Sequence, residues 1–133
     1  MGALVIGGLH RESDWTPVRV VVAGIGTAGY ACADALSQLG AQVTVVDAQD
    51  GDDQRRRGTV LEAIGVQVRL GFDGSLPPCE LLVVSPGLPP SHPLIREALA
   101  RDVTVWGELE LAWRLRRSEG PAPWLVVTGT NGK

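Results

Sequence analysis

The residues with the clearest chemical potential form a glycine-rich segment directly after a short β-branched run. Gly24, Gly26 and Gly29 have the spacing G-x-G-x-x-G between a predicted strand and a predicted helix. The first glycine of such a loop permits a tight turn, the second lets a phosphate approach the backbone, and the third lets helix and strand pack closely. Unpaired N–H groups at the helix start then favour an anion. The segment predicts a site for a nucleotide or nucleotide-sugar diphosphate; a plain strand–helix turn is the simpler alternative.

An acidic residue follows at the distance typical of a ribose contact. Asp47 comes 18 residues after Gly29, at the end of the second predicted strand. An acid at this place often accepts a hydrogen bond from a ribose hydroxyl. Because the same two features are typical of dinucleotide-binding domains, an NAD-binding domain is an open alternative at this point.

Strands and helices that alternate along the chain must position this loop. Apolar, β-branched runs predict strands at 18–23, 43–46, 66–70, 80–85, 103–106 and 124–127. Helical spacing and capping signals predict helices at 27–39, from the polar stretch 48–57 to residue 64, from an N-cap at Ser91 to about residue 101, and at 107–117. His92, at the start of the third helix, is predicted to cap or pack rather than to catalyse. This alternation predicts an α/β fold with a Rossmann-like, doubly wound parallel sheet.

Composition restricts the class of protein. The chain has 133 residues, of which 44% are apolar and 20% charged, and its net charge is −3. These values suit one globular domain, exclude a disordered chain, and provide no overall basic field for nucleic acid. No apolar run approaches the ~20 residues of a membrane span, and residues 1–8 lack the basic region of a signal peptide. We therefore expect a cytoplasmic protein, monomeric, without nucleic-acid or membrane partners.

The cysteines do not predict a structural site. Cys32 and Cys79 stand far apart and form no CxxC pattern, which argues against a disulfide framework and a zinc site. We expect no bound metal in this part of the chain.

Three further segments extend the pattern. They are Ser85-Pro86-Gly87 followed by His92-Pro93-Leu94, then GELEL at 107–111, and finally TGTNGK at 128–133. In this order and spacing they resemble the amino-terminal part of the Mur ligases, over about residues 18–133. Within that family the likeness is greatest to the enzymes that add D-glutamate to UDP-N-acetylmuramoyl-L-alanine in peptidoglycan biosynthesis. An NAD-binding domain would leave the SPG and TGTNGK segments unexplained.

The resemblance implies that the glycine loop receives the diphosphate of a UDP-linked muramoyl substrate. By matching position, the substrate-binding residues would be Gly26, Thr27, Ala28 and Gly29 around the diphosphate, Asp47 by the uridine, and Ser85 to Gly87 at the border of the same crevice. In some members Thr-Arg follows the acid, whereas Ala48-Gln49 follows it here. Two interpretations of Arg55 to Arg57 are open. They supply positive charge to the uridine end of the substrate from the next turn, or they form a solvent-exposed helix start.

The last residues resemble the ATP phosphate loop of the family. The loop residues would be Gly129, Thr130, Asn131, Gly132 and Lys133, with backbone N–H groups around the phosphates and the lysine at the β/γ oxygens. Val127 occupies the place of the first glycine in the general pattern, and the hydroxyl residue that holds Mg²⁺ would follow Lys133. The resemblance implies ATP and Mg²⁺ as cofactors of a parent ligase that forms an acyl phosphate, which D-glutamate then attacks.

The resulting domain scheme has three parts. Residues 1–17 are predicted to be a solvated extension, 18–121 the UDP-substrate-binding domain, and 122–133 the first strand and partial phosphate loop of a central ATPase domain. We expect the 133 residues alone to be inactive and to contain no catalytic residue. A nucleotide-sensing module that has lost its catalytic partner is the non-enzymatic alternative.

Overall fold

A five-stranded parallel sheet forms the centre of the protein. The computed structural model describes residues 6–116. Its strands are β1 (Arg19–Ala23), β2 (Gln42–Asp47), β3 (Gln67–Leu70), β4 (Leu81–Val84) and β5 (Thr104–Gly107), in the order β3-β2-β1-β4-β5. Its helices are α1 (Thr27–Gln38), α2 (Asp52–Ala63), α3 (Pro93–Ala100) and α4 (Glu108–Arg114), after a short 3-10 turn at Ile6–Gly8. All four strand pairings are parallel, which confirms the predicted Rossmann-like α/β fold.

Both faces of the sheet are covered, so the central strand β1 is apolar at every position after Arg19. In β1, Val20 and Val22 face the side packed by α1, α2 and α4, whereas Val21 and Ala23 face α3. These four residues are at most 4% exposed. A strand buried on both faces has no polar alternation, which explains the continuous β-branched run that predicted it. The predicted strand at 124–127 lies outside the described residues.

The segment before β1 differs from the solvated extension that the sequence predicts. Trp15 is 1% exposed, and Ile6 and Leu9 are buried in the same cluster as Val20. The Trp15 indole N–H donates to the His10 carbonyl oxygen at 2.9 Å. The polar residues between His10 and Trp15 are therefore part of a closed loop next to this cluster. The expectation of a solvated segment is therefore wrong for its apolar residues.

The third helix begins one residue later than predicted. Its N-cap is His92 rather than Ser91, and the His92 Nδ1 accepts from the Leu94 N–H at 3.2 Å. Pro93 then occupies the first helical position, where its fixed φ suits the helix and its missing N–H removes no bond. The capping role predicted for His92 is confirmed. Within residues 6–116, no helix combines the length and apolar character that crossing a bilayer requires.

A charged pair joins the starts of β1 and β4. The Arg19 backbone N–H donates to Glu80 Oε1 at 2.7 Å, and the Arg19 Nε donates to Glu80 Oε2 at 3.0 Å. The Glu80 backbone N–H returns a bond to the Arg19 carbonyl oxygen at 2.9 Å. The side-chain hydrogen bond from Arg19 is the main reason why the pKa of Glu80 lies below its ordinary value.

We expect Glu80→Gln to lower the free energy of unfolding at pH 7 by about 1 kcal/mol, a figure that allows for solvent screening of a partly exposed pair. Because the folded protein lowers the pKa of Glu80, its contribution is complete above the ordinary value of 4.5 and is lost as the pH falls through the folded-state pKa. Urea unfolding at several pH values should therefore show wild type and variant converging in acid. Glu62→Gln, at an exposed position of α2, is the control. A difference that is equal at pH 7 and pH 3 would contradict this account.

Candidate functional site

A cleft of about 430 Å³ opens at the carboxyl ends of β1, β2 and β4. The strand order reverses here, because β2 and β3 lie on one side of β1 while β4 and β5 lie on the other. Ligands of open α/β sheets bind at such a reversal. The cleft is lined by Ala23, Gly24, Val46, Asp47, Ala48, Gln49, Phe72, Asp73, Gly74, Ser85, Leu88, His92, Pro93 and Leu94. The position of the cleft makes it the candidate ligand site.

The three glycines play different structural roles in the loop. Gly24 has a φ of 109°, which favours glycine. A Cβ on Gly29 would lie 1.9 Å from the Gly24 carbonyl oxygen, so only glycine lets α1 begin this close to β1. Gly26 is the N-cap of α1 in an extended conformation, and a Cβ there would meet no atom within 4 Å. Gly24 and Gly29 therefore shape the loop, while Gly26 leaves open space beside it.

The first turn of α1 has backbone N–H groups that are free of hydrogen bonds within the helix. The N-cap Gly26 makes no side-chain cap, and the Tyr30 N–H donates to the Gly26 carbonyl oxygen at 2.8 Å. Helix geometry gives the N–H groups before Tyr30, including those of Thr27 and Ala28, no acceptor within the helix. They form the positive end of the helix dipole, which attracts anions.

The Asp47 carboxylate fixes the loop to the end of β2. Its Oδ2 accepts from the Ile25 N–H at 2.9 Å, and its Oδ1 accepts from the Gln49 N–H at 2.8 Å. Ile25 is fully buried, so this bond satisfies an N–H that water does not easily reach. Asp47 therefore holds the glycine loop in shape as well as bordering the cleft. Sequence reasoning assigned it only to the uridine.

The structure brings together some of the predicted site residues. Asp47 and Ser85 line the cleft with Gly24, and the Ser85 Oγ lies 3.8 Å from the place of a Cβ on Gly24. The residues 26–29 form the adjacent helix start rather than the cleft wall, and Gly87 is exposed and is not a lining residue. The predicted phosphate loop at 129–133 lies outside the described residues.

An apolar wall of the cleft was missed by sequence reasoning. Phe72, Leu88 and Leu94 lie on this wall. The Phe72 N–H donates to the Asp47 carbonyl oxygen at 2.9 Å, which ties the segment after β3 to the end of β2. A signal was present, because Phe72 comes two residues after the end of β3 and the carboxyl ends of parallel strands meet at one edge.

Two of the three consecutive arginines in α2 form ion pairs with nearby aspartates. The Arg55 Nε donates to Asp50 Oδ1 at 2.9 Å, and the Arg56 Nη2 donates to Asp53 Oδ1. Both pairs are largely exposed. These arginines match the expectation of a solvated helix start.

Arg57 has a different position. Its Nη1 lies 3.5 Å from the Ile25 carbonyl oxygen, and its Nη2 lies 3.5 Å from the Thr27 Oγ1. These distances are at the outer limit of a hydrogen bond. The guanidinium therefore rests loosely beside the glycine loop.

The cysteines have the character of packing residues. Burial is the main cause that raises the pKa of Cys32 to about 11, with the Glu108 carboxylate adding to it. Burial also raises the pKa of Cys79. Nucleophilic cysteines need a lowered pKa, so neither thiol is activated. Within residues 6–116 no group of three or more His, Cys, Asp or Glu side chains could hold a metal ion.

Comparison with known proteins identifies the family of the chain. Residues 18–107 match the model of the family described as Mur ligase MurD-like, N-terminal domain. The UDP-N-acetylmuramoylalanine--D-glutamate ligase of Streptomyces avermitilis is 52% identical over 124 residues, covering 91% of this chain and 26% of the relative. The enzyme of the same name from Leifsonia xyli is 44% identical over 136 residues, covering 92% of this chain and 26% of the relative. The chain thus spans about a quarter of the length of these curated relatives.

A solved structure supports the fold alone. The ligand-free form of 5-ketofructose reductase of Gluconobacter sp. strain CHM43 has a TM-score of 0.50 and 19% sequence identity, over 76% of this chain and 48% of that one. The family match covers all five strands and the cleft between them. The chain therefore belongs to the Mur ligase family, and its residues 18–107 correspond to the N-terminal domain of the MurD-like members.

Proposed function

We propose that this chain is the N-terminal part of an ATP-dependent ligase that adds D-glutamate to UDP-N-acetylmuramoyl-L-alanine in peptidoglycan biosynthesis. In this proposal the domain at 18–121 binds the UDP-linked substrate. The names of the relatives support the substrate class. The observation that carries the binding role is the first turn of α1, which opens without a side-chain cap beside a cleft at the switch point of the sheet.

The geometry suits a nucleotide joined to a diphosphate. Backbone N–H groups around Gly26 would receive the diphosphate oxygens, because they have no acceptor within the helix. The neighbouring cleft has an apolar wall at Phe72 and polar groups at Asp47 and Ser85, a combination suited to a planar base with a ribose. A volume of about 430 Å³ is within the usual range for small-molecule sites.

The ligation itself is proposed for the whole protein. ATP would be held through the phosphate loop at 129–133, where backbone N–H groups and Lys133 would suit phosphate oxygens, and Mg²⁺ through a hydroxyl residue that follows Lys133 in the whole protein. Mg²⁺ would neutralise developing phosphate charge during transfer to the substrate carboxylate. The domain at 18–121 would hold the nucleotide end and leave the carboxylate to the ATP-binding part.

Titration of the ¹⁵N-labelled chain with UDP-N-acetylmuramoyl-L-alanine, with NAD as the parallel ligand, tests the binding role. We expect amide shifts at Gly26 to Gly29 with the UDP-linked substrate and no comparable shifts with NAD. Amides of the α3 carboxyl end, near Arg101, serve as the internal control because they lie away from the cleft. Shifts with NAD alone would favour a dinucleotide site, and no response to either ligand would contradict substrate binding by this chain.

A further inference from the structure

The N-terminal half of α2 places one unneutralised cation at the glycine loop. The guanidiniums of Arg55 and Arg56 are ion-paired, whereas Arg57 has no carboxylate within ion-pair distance among residues 6–116. Its contacts are instead the Ile25 carbonyl oxygen and the Thr27 hydroxyl, each at 3.5 Å. Both belong to the segment that forms the turn into α1.

The position of Arg57 follows from the packing of its neighbour in sequence. Gly58 is buried, and a Cβ there would lie 3.1 Å from Val68 Cγ1 and 3.8 Å from Ile25 Cδ1. Glycine inside a helix costs about 1 kcal/mol relative to alanine, but here it lets α2 approach β3 and the glycine loop closely. This close approach turns the preceding residue, Arg57, toward the first turn of α1.

The charges at the cleft favour a further cation for the binding of an anionic ligand. Asp47 and Asp73 border the cleft, and their carboxylates would repel an anionic ligand. The N–H groups of α1 offset this repulsion only in part, because a helix end carries a partial charge of roughly +0.5. A guanidinium is planar, always charged, and suited to bind two phosphate oxygens together.

We propose that Arg57 is a binding residue for the diphosphate of the nucleotide-linked substrate, an inference that rests on the proposed function. The guanidinium exchanges its two long contacts with the loop for shorter, charge-assisted hydrogen bonds to phosphate oxygens. A shallow groove of about 160 Å³, lined by Tyr30, Arg56, Arg57 and Val60, gives the side chain room to move. Arg57 thus contributes to the choice of a diphosphate ligand over an uncharged one.

Calorimetric titration of the chain with UDP and with UDP-N-acetylmuramoyl-L-alanine tests the assignment. We expect Arg57→Met to weaken binding of both by about ten- to a hundredfold, as the loss of a charged hydrogen-bonding partner implies. Arg57→Lys should recover part of the loss, since it keeps the charge and loses the planar fork. Added salt should weaken wild-type binding more than Arg57→Met binding, because the variant has lost a charge interaction that salt screens.

The matched control is Arg56→Met, which removes the same charge one position earlier in the same helix. We expect it to bind UDP within about twofold of wild type and to unfold at the same denaturant concentration as Arg57→Met. Equal affinities of Arg57→Met and Arg56→Met would overturn the assignment, as would a loss in Arg57→Met matched by a lower unfolding midpoint and not recovered by lysine. A wild-type chain that binds neither UDP nor the substrate would instead overturn the proposed function itself.

Discussion

Gly29→Ala is expected to lower the free energy of unfolding by about 3 kcal/mol or more. The new Cβ would lie 1.9 Å from the carbonyl oxygen of Gly24 and 2.9 Å from its carbonyl carbon. Both are backbone atoms, so no side chain can turn away to make room. Relief requires α1 to move from β1, yet α1 buries Ala33 and Leu36 against the sheet. Overpacking of a core commonly costs 1–3 kcal/mol, and an obstruction by backbone should reach or exceed the upper end.

Gly26→Ala is the matched control for this effect. It makes the same chemical change three residues earlier, where a Cβ would meet no atom within 4 Å and the backbone is already extended. Its cost should be at most about 1 kcal/mol, the usual difference between residues at an N-cap. Urea unfolding of the two variants measures both values. Equal stabilities would show that α1 can shift without loss and would contradict the tight packing of helix and strand.

The strands of the sheet were predictable because each is encoded by a short run of neighbouring residues. The β-branched run that forms β1 and the apolar run at β4 predict strands that are buried on both faces. The predicted positions agree with the structure to within one or two residues. The burial of Trp15 was not predictable in the same way. This burial requires the chain before β1 to fold back onto the core. The polar residues at 10–14 interrupt the apolar pattern of this segment, so the sequence does not predict its burial.

The glycine loop was predictable and its supporting side chains were not. The spacing of Gly24, Gly26 and Gly29 indicates a backbone shape, because Gly24 adopts a positive φ and Gly29 lets α1 begin close to β1. The two hydrogen bonds of Asp47 to backbone N–H groups and the approach of Arg57 depend on how separate elements pack. Packing of α2 through Gly58 decides which of three consecutive arginines reaches the loop, and no period in the sequence distinguishes them.

Asp47→Asn is expected to lower the free energy of unfolding by about 2 kcal/mol and to weaken UDP binding about tenfold, because the loss of loop shape outweighs the relief of repulsion between this carboxylate and the diphosphate. An amide has one oxygen, so either the Ile25 N–H or the Gln49 N–H would face an NH₂ group instead of an acceptor. Leaving the buried Ile25 N–H unsatisfied costs about 1–3 kcal/mol. The glycine loop would then lose the contact that fixes its shape, and the first turn of α1 would present its N–H groups less uniformly. Urea unfolding and calorimetry measure the two effects.

Hydrogen exchange separates this positioning role from direct contact with a ligand. If the carboxylate holds the loop, the Ile25 amide of Asp47→Asn should exchange much faster than in wild type even without ligand. Asp50→Asn is the control, because the Asp50 carboxylate lies three residues further on and pairs with exposed Arg55; its stability and Ile25 exchange should stay close to wild type. Weakened UDP binding in Asp47→Asn with an unchanged Ile25 amide and full stability would mean that Asp47 contacts the nucleotide directly and that another contact shapes the loop.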